Sequence, residues 1–266
     1  MDIGIIGGTG VYSSELFQTM DEVDLKTPYG QTSDKIRIAK LGDTEIAFIP
    51  RHGAKHTIPP HKVNSQANIW ALKKLGVRKI VGLCAVGSLK ENVKPGEIVV
   101  PDQYIDFTKH RKGTYYDGDP VAHVSSADPF CPCMRRMANE TIEKLALPYH
   151  KKSTYVCIEG PRFSTRAESR LLRTMADIIG MTLFPEVHLA RELELCYVCI
   201  ATVTDYDVWA EKPVTIHGVI ETMKKNNANV QNILKTLIPT VSKTLPHCQK
   251  EKECFCDEAL RDAVIK

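Results

Sequence analysis

What most restricts the fold of this chain is an alternation. Apolar, β-branched runs at 3–6, 46–49, 79–84, 97–100, 154–158 and 197–204 are interleaved with helix-like stretches at 64–75, 132–145, 165–176, 186–193 and 215–237. Strands that alternate with helices from end to end pair side by side in one sheet, because a parallel pair needs a long crossover and a helix supplies it. The expected fold class is therefore α/β, a single domain with a central mixed, largely parallel twisted sheet flanked by helices. The chain has 266 residues, 43% of them hydrophobic, and a domain of this size buries roughly three quarters of its unfolded surface. One domain is expected over 1–240, with 241–266 as a cysteine-containing tail packed on it. The stretch 105–130 is polar and turn-rich without periodicity. A loop of that length is expected to be functional or to cover an interface.

Thirty-five basic residues face 32 acidic ones, and the formal charge of +3 is spread along the chain without a polybasic arm. A small-molecule partner is expected, with no nucleic acid. The opening "MDIGIIGGTG" has neither a basic nor a long apolar region, and "IVGLCAVG" is far too short to span a bilayer. A cytoplasmic protein without a membrane partner is expected. Three close cysteine pairs, Cys131/Cys133, Cys196/Cys199 and Cys254/Cys256, join Cys84, Cys157 and Cys248. Their spacing is not the doubled C-x-x-C set of a zinc site, so no metal is expected. Free thiols remain, or disulfide bonds if the source is a hyperthermophile. The tail stretch "CQKEKECFC" is where a bridge is expected first.

Ligands of open α/β sheets sit beyond the carboxyl ends of strands. "GGTG", "RHG", "AVGS", "EGPRFS" and "TDYD" each follow one of the apolar runs. "GIIGGTG" departs from the G-x-G-x-x-G dinucleotide spacing, which leaves a tight turn or a loop holding an anion on backbone N–H groups and the Thr9 hydroxyl. Arg51, His52, His56 and His61 lie within eleven residues, spaced irregularly for a metal and without an acidic partner. Arg51 and His52 suit a clamp on phosphate or carboxylate, for which arginine offers a fixed fork of donors. Phe163 and Ser164 precede a helix start, with Thr165 and Glu168 spaced as a capping box. Met181 and Thr182 precede another helix. Asp205 and Asp207, two apart at the end of an extended run, face the same side. A solvated loop, a paired acid for glycosidic chemistry and a shared pocket all remain open for them.

Taken together, "GIIGGTG", "RHG..HTIPPHKVN.QANIWALK", "AVGSLKE", "DPFCP", "IEGPRFSTRAES", "GMT..PEV.LARE" and "TDYDVW" resemble the methylthioadenosine branch of the trimeric purine nucleoside phosphorylase family, archaeal members above all. The likeness covers about 1 to 240. It implies a pentosyltransferase, in which phosphate attacks C1′ of a purine nucleoside and releases the free base. It also implies a homo-oligomer, trimer or hexamer (a dimer of trimers), and no cofactor, inorganic phosphate being a co-substrate. Carried over by motif, Thr9, Arg51, His52, Ala85 and Thr182 would hold phosphate at the Cys84 strand end, with Gly7 and Gly8 shaping the loop. Met181 would lie against the ribose and Phe163 on the base. Ser164, Asp205, Tyr206 and Asp207 would address the base edge, and His123 would reach a neighbouring subunit's 5′ pocket. Three departures stand out. Cys84 replaces a usual Thr, Phe184 and His188 replace smaller apolar residues, and the chain beyond 240 is unmatched.

The chemistry fits these residue types. Adenine shows an N7 acceptor beside an N6 donor, so an ionised carboxylate can accept from N6–H while a protonated one donates to N7. Asp205 is assigned as that acid, provided burial raises its pKa. Helical spacing puts Ile216 and Val219 on one face, and apolar side chains there suit a 5′ methylthio group. The leading expectation is reversible phosphorolysis of methylthioadenosine. A broad purine nucleoside phosphorylase and a non-catalytic purine-nucleoside sensor are the alternatives. Ser164, where the 6-oxopurine branch has Glu in "GP.YET", speaks against a strict inosine and guanosine enzyme and leaves breadth open.

Overall fold

The computed structural model describes residues 1–8, 16–210, 214–243 and 254–265. Among these, one mixed sheet contains eleven strands. In chain order they are β1 (Ile3–Gly7), β2 (Gln18–Val23), β3 (Ile36–Leu41), β4 (Thr44–Pro50), β5 (Lys79–Ser88), β6 (Ile98–Val99), β7 (Gln103–Phe107), β8 (Tyr149–His150), β9 (Thr154–Ile158), β10 (Ile178–Gly180) and β11 (Cys196–Asp205). The described helices are α1 (Ser65–Lys74), α2 (Pro132–Lys144), α3 (Arg166–Leu172), α4 (Leu183–Glu192) and α5 (Ile216–Ser242). β2 and β3 escape an apolar-run reading because β2, "QTMDEV", is an exposed edge, and β10 escapes it because it is only three residues long. β7 runs into the first residues of the stretch expected to be irregular and pairs with β9.

β5 organises the sheet. It runs parallel to β11 from Lys79 to Gly87. On its other edge it pairs with β1 only as far as Gly82, and with β10 only at Gly87 and Ser88. Pairing on that edge therefore lapses between the two glycines, which splits the sheet near its middle. The sequence expectation ended this strand at 84. Continued pairing with β11 carries it to Ser88, so Cys84 and Ala85 lie within the strand and border the split.

Neighbouring residues of the central strands point to opposite faces, and both faces are covered. Ile5, Val81 and Val198 join one core with Met134 and Ile142 of α2 and Ile233 and Leu237 of α5. Ile6, Ile80 and Tyr197 join the other with Ile69 and Leu72 of α1 and Val187 of α4. Burial on both faces is why these strands read as continuous apolar runs. Helix starts follow local chemistry. Asn64 accepts from the Ala67 N–H, Thr165 and Glu168 close the expected capping box, and Thr215 accepts from the Gly218 N–H.

One glycine is required by close packing. A Cβ at Gly82 would stand 2.0 Å from the Tyr197 hydroxyl, which donates to Glu186 Oε2 at 3.0 Å. Gly82→Ala is expected to destabilise the fold by about 3 kcal/mol through overpacking. Tyr197→Phe in the same chain should recover part of that loss. Urea denaturation of the single and double variants checks both; an unaltered midpoint for Gly82→Ala would contradict the packing.

Candidate active site

A cavity of about 590 Å³ opens at the split, floored by Leu83 to Gly87 of β5. The segments that follow β1, β4, β9, β10 and β11 bring Gly8, Arg51, His52, Phe163, Ser164, Met181, Thr182, Asp205 and Asp207 to its wall, and α5 adds Ile216 and Val219. Most residues singled out in the sequence therefore converge, Cys84 and Ala85 included. Tyr206 does not line the cavity; its ring packs edge-on to Trp209, with centroids 5.3 Å apart. His123 also lies outside it, its backbone N–H bonded to Ala263 O at 2.8 Å. Thr9 lies outside the described residues.

Arg51 is not an open fork. Its Nε and Nη2 donate to Glu186 at 2.5 and 2.9 Å, and Nη1 donates to Leu83 O at 2.7 Å. Burial works against its charge, yet Glu186 holds its pKa well above the ordinary value. Glu186, fully buried, was not expected in the site. Its place in the first turn of a helix reads as a routine dipole partner, and its true partner is 135 residues away.

His52 also differs from a cationic clamp. Burial, helped by the Arg51 charge, lowers its pKa to about 4. The ring is neutral at pH 7, and its Nδ1 must donate to Ile58 O, at 2.9 Å, because a carbonyl can only accept. Nε2 then carries a lone pair and can only accept a hydrogen bond, so an oxygen that meets it must be protonated.

Cys84 lies 3.4 Å from the Thr182 hydroxyl, which donates to it. A hydrogen bond from Cys199 is the main reason its pKa falls to about 7, against burial and with help from Arg51.

The two aspartates meet, but not by strand alternation. Asp207 is past the strand with a left-handed φ of 50°, and its N–H donates back to Asp205 Oδ1 at 2.7 Å, an Asx-type turn. Burial raises the Asp205 pKa, with the Asp207 charge adding to it. Thr204 Oγ1 stands 3.1 Å from Val86 O and 2.7 Å from Asp205 Oδ2. A hydroxyl has one proton; when it goes to Val86 O, a protonated Asp205 donates to Thr204. Ser164 donates to Asp207 Oδ1 at 2.7 Å, while the buried Asp207 Oδ2 has no partner among the described residues.

The long connection after β7 is tied down by two of the unusual residues. Arg111 donates to the carbonyl of Phe184 at 2.5 Å. His188 bridges Ser126 and Glu192, and Glu192 accepts from Thr114 and the Tyr115 N–H. The expected disulfides are not found among the eight described cysteines, no two of which are bonded to each other. Cys248 lies outside the described residues.

Fold and cleft define a class, α/β proteins that carry a small-molecule site across a split sheet. The chain belongs to the phosphorylase superfamily, whose family model matches residues 2–239. It is 56% identical over 263 residues to the S-methyl-5'-thioadenosine phosphorylase of Pyrococcus abyssi, covering 99% of each chain. The methylthioadenosine phosphorylase sourced from an antarctic soil metagenomic library superposes with a TM-score of 0.90 at 43% identity, over 99% of this chain and 92% of that one. A variant of the adenosine/methylthioadenosine phosphorylase of Schistosoma mansoni, solved with methylthioadenosine, superposes with a TM-score of 0.87 at 37% identity, over 91% of this chain and 92% of that one. The α/β fold class expected from the sequence is thereby the nucleoside phosphorylase fold.

The lowered pKa of Cys84 gives a signed test. Its thiolate fraction grows as pH rises through about 7, so alkylation of Cys84 by iodoacetamide should accelerate roughly tenfold between about pH 6 and 8. Peptide mapping by mass spectrometry follows it. A rise of about a hundredfold, which a thiol at the ordinary pKa gives over this range, would contradict a lowered pKa.

Proposed function

We propose that this chain catalyses the reversible phosphorolysis of S-methyl-5'-thioadenosine to adenine and 5-methylthioribose 1-phosphate. The observation that carries the reading is the division of labour between the aspartates. Asp205, raised in pKa and within reach of Thr204, is the proton donor to N7. Asp207, fixed by Ser164, keeps Oδ2 as an acceptor for the N6 amino group. A 6-oxopurine would turn a second acceptor toward that oxygen and be repelled. Phe163 covers the base and Met181 the ribose.

Phosphate sits at the Arg51, Cys84, Ala85 and Thr182 end, joined by Thr9. Because Glu186 neutralises Arg51, hydroxyls and backbone dipoles take a larger share in holding the anion. The neutral His52 accepts the one hydroxyl of hydrogen phosphate through Nε2. As the glycosidic bond lengthens, C1′ gains positive charge and the fixed phosphate collapses onto it. Holding both reactants together can remove roughly 7–11 kcal/mol of the barrier at best. Asp205 passes its proton to N7 as electrons flow into the base. Over a full turnover, the proton lost by phosphate becomes the N–H of adenine, so no cofactor is needed.

Ile216, Val219, Ile220 and Met223 line the α5 side of the cavity, whereas His217 is not on its wall. This apolar end takes the 5′ methylthio group. Ile216 is 63% exposed and Ile220 45% exposed, and a neighbouring subunit bringing its own His123 covers them in a homo-oligomer, a trimer or a dimer of trimers. None of the described helices is long and apolar enough to cross a membrane, in keeping with a cytoplasmic enzyme.

Initial rates with methylthioadenosine, adenosine, inosine and guanosine, each with and without phosphate, test the proposal. Methylthioadenosine with phosphate should be fastest, and base release without phosphate would sink it. Asp205→Asn should lower kcat for methylthioadenosine by about 10²- to 10⁴-fold; near-normal turnover would remove its role as acid. Asp207→Asn should raise the inosine-to-methylthioadenosine ratio of kcat/KM by about tenfold or more, since an amide can donate to O6. An unchanged ratio would remove the edge-reading argument.

A further inference from the structure

At the opposite end of β11 from the aspartates, four cysteines from three distant segments converge. Cys131 is the residue before α2, Cys196 begins β11, and Cys254 and Cys256 belong to the tail. All four are buried, and their Sγ atoms lie within 4.8 Å of one another. Cys254 Sγ is 3.6 Å from that of Cys131 and 3.8 Å from that of Cys196. Zinc–thiolate bonds of about 2.3 Å in a tetrahedron place sulfurs about 3.8 Å apart. A disulfide, by contrast, would bring one pair to about 2.05 Å, and it would single out one partner. Cys254 is nearly equidistant from two.

We propose that Cys131, Cys196, Cys254 and Cys256 form a structural site for one thiophilic divalent cation, zinc above all. Four protein ligands close the coordination shell, so no position is left for substrate. The ten residues of β11 keep the ion about 30 Å from Asp205. Its work is mechanical. Beyond the ligands, Leu260 N–H donates to Glu194 at 3.3 Å, Ala263 O accepts from His123 N–H, and Ile265 N–H donates to Val121 O. The ion thus pins the root of a strap whose far end holds the 121–123 segment of the long connection.

The test uses the full-length protein, expressed with zinc and purified without chelator in a mild reductant. Elemental analysis should find about one zinc per chain, and cobalt exchanged into it should show the intense visible bands of a tetrahedral tetrathiolate. Cys254→Ser with Cys256→Ser should reduce bound zinc at least about tenfold and speed hydrogen exchange at residues 121–123 and 260–265. Metal-free protein overturns the site, whether its intact mass shows the loss of two hydrogens per disulfide bridge or four titratable thiols. Zinc retained in full by the double variant overturns it as well. The wild-type metal content and cobalt spectrum decide the matter even if the variant fails to fold.

Discussion

Arg51 and Glu186 form the contact on which the site depends. The pair is bidentate and almost wholly buried, and such a pair is retained only when every remaining donor and acceptor is placed, because removing one partner strands a charge at a cost of roughly 3–5 kcal/mol. Here the placement involves most of the central sheet. The guanidinium follows β4 and reaches the Leu83 carbonyl where β5 loses its neighbour. Tyr197 of β11 crosses over Gly82 to give Glu186 a further hydrogen bond. The split in the sheet, the glycine beneath it and the ion pair across it are one arrangement.

That arrangement was only half legible in the sequence. The alternation of strand and helix is periodic and local, so it yields the sheet and the strand ends that carry ligands. Position marks Arg51 and the two aspartates at strand ends, and the family resemblance adds the roles of Phe163, Ser164 and Thr182. Glu186 does not, since nothing within a turn of it announces an arginine 135 residues earlier. The neutrality of His52 is equally hidden, because burial and the Arg51 charge decide it against the pull of the Ile58 carbonyl. Cys84 was placed at the end, and Ala85 beyond the end, of a strand that in fact continues, as only the partner strand determines where pairing stops. The cysteine cluster is invisible to spacing rules because its members come from three segments.

The departures from the family pattern have a structural sense. Phe184 is larger and His188 larger and polar compared with the residues they replace; the Phe184 ring packs on Tyr104 of β7, with centroids 6.1 Å apart, and His188 reaches Ser126 in the connection after it. A turn-rich segment without regular structure must satisfy its backbone somewhere, and Arg111, Glu159 and Glu192 take much of that load. The same connection meets the tail at Ala122 and Val264. A region that reads as irregular is thereby held from two sides.

The lone acceptor on Asp207 has a kinetic side. A buried carboxylate oxygen without a donor among the described residues stands to gain about 1–3 kcal/mol from a group that donates to it. Whatever supplies an N–H there makes this gain, and adenine keeps its amino group after the sugar has gone. In the proposed role, the atom that selects the incoming nucleoside would also slow the departure of the freed base and so tie turnover to its release.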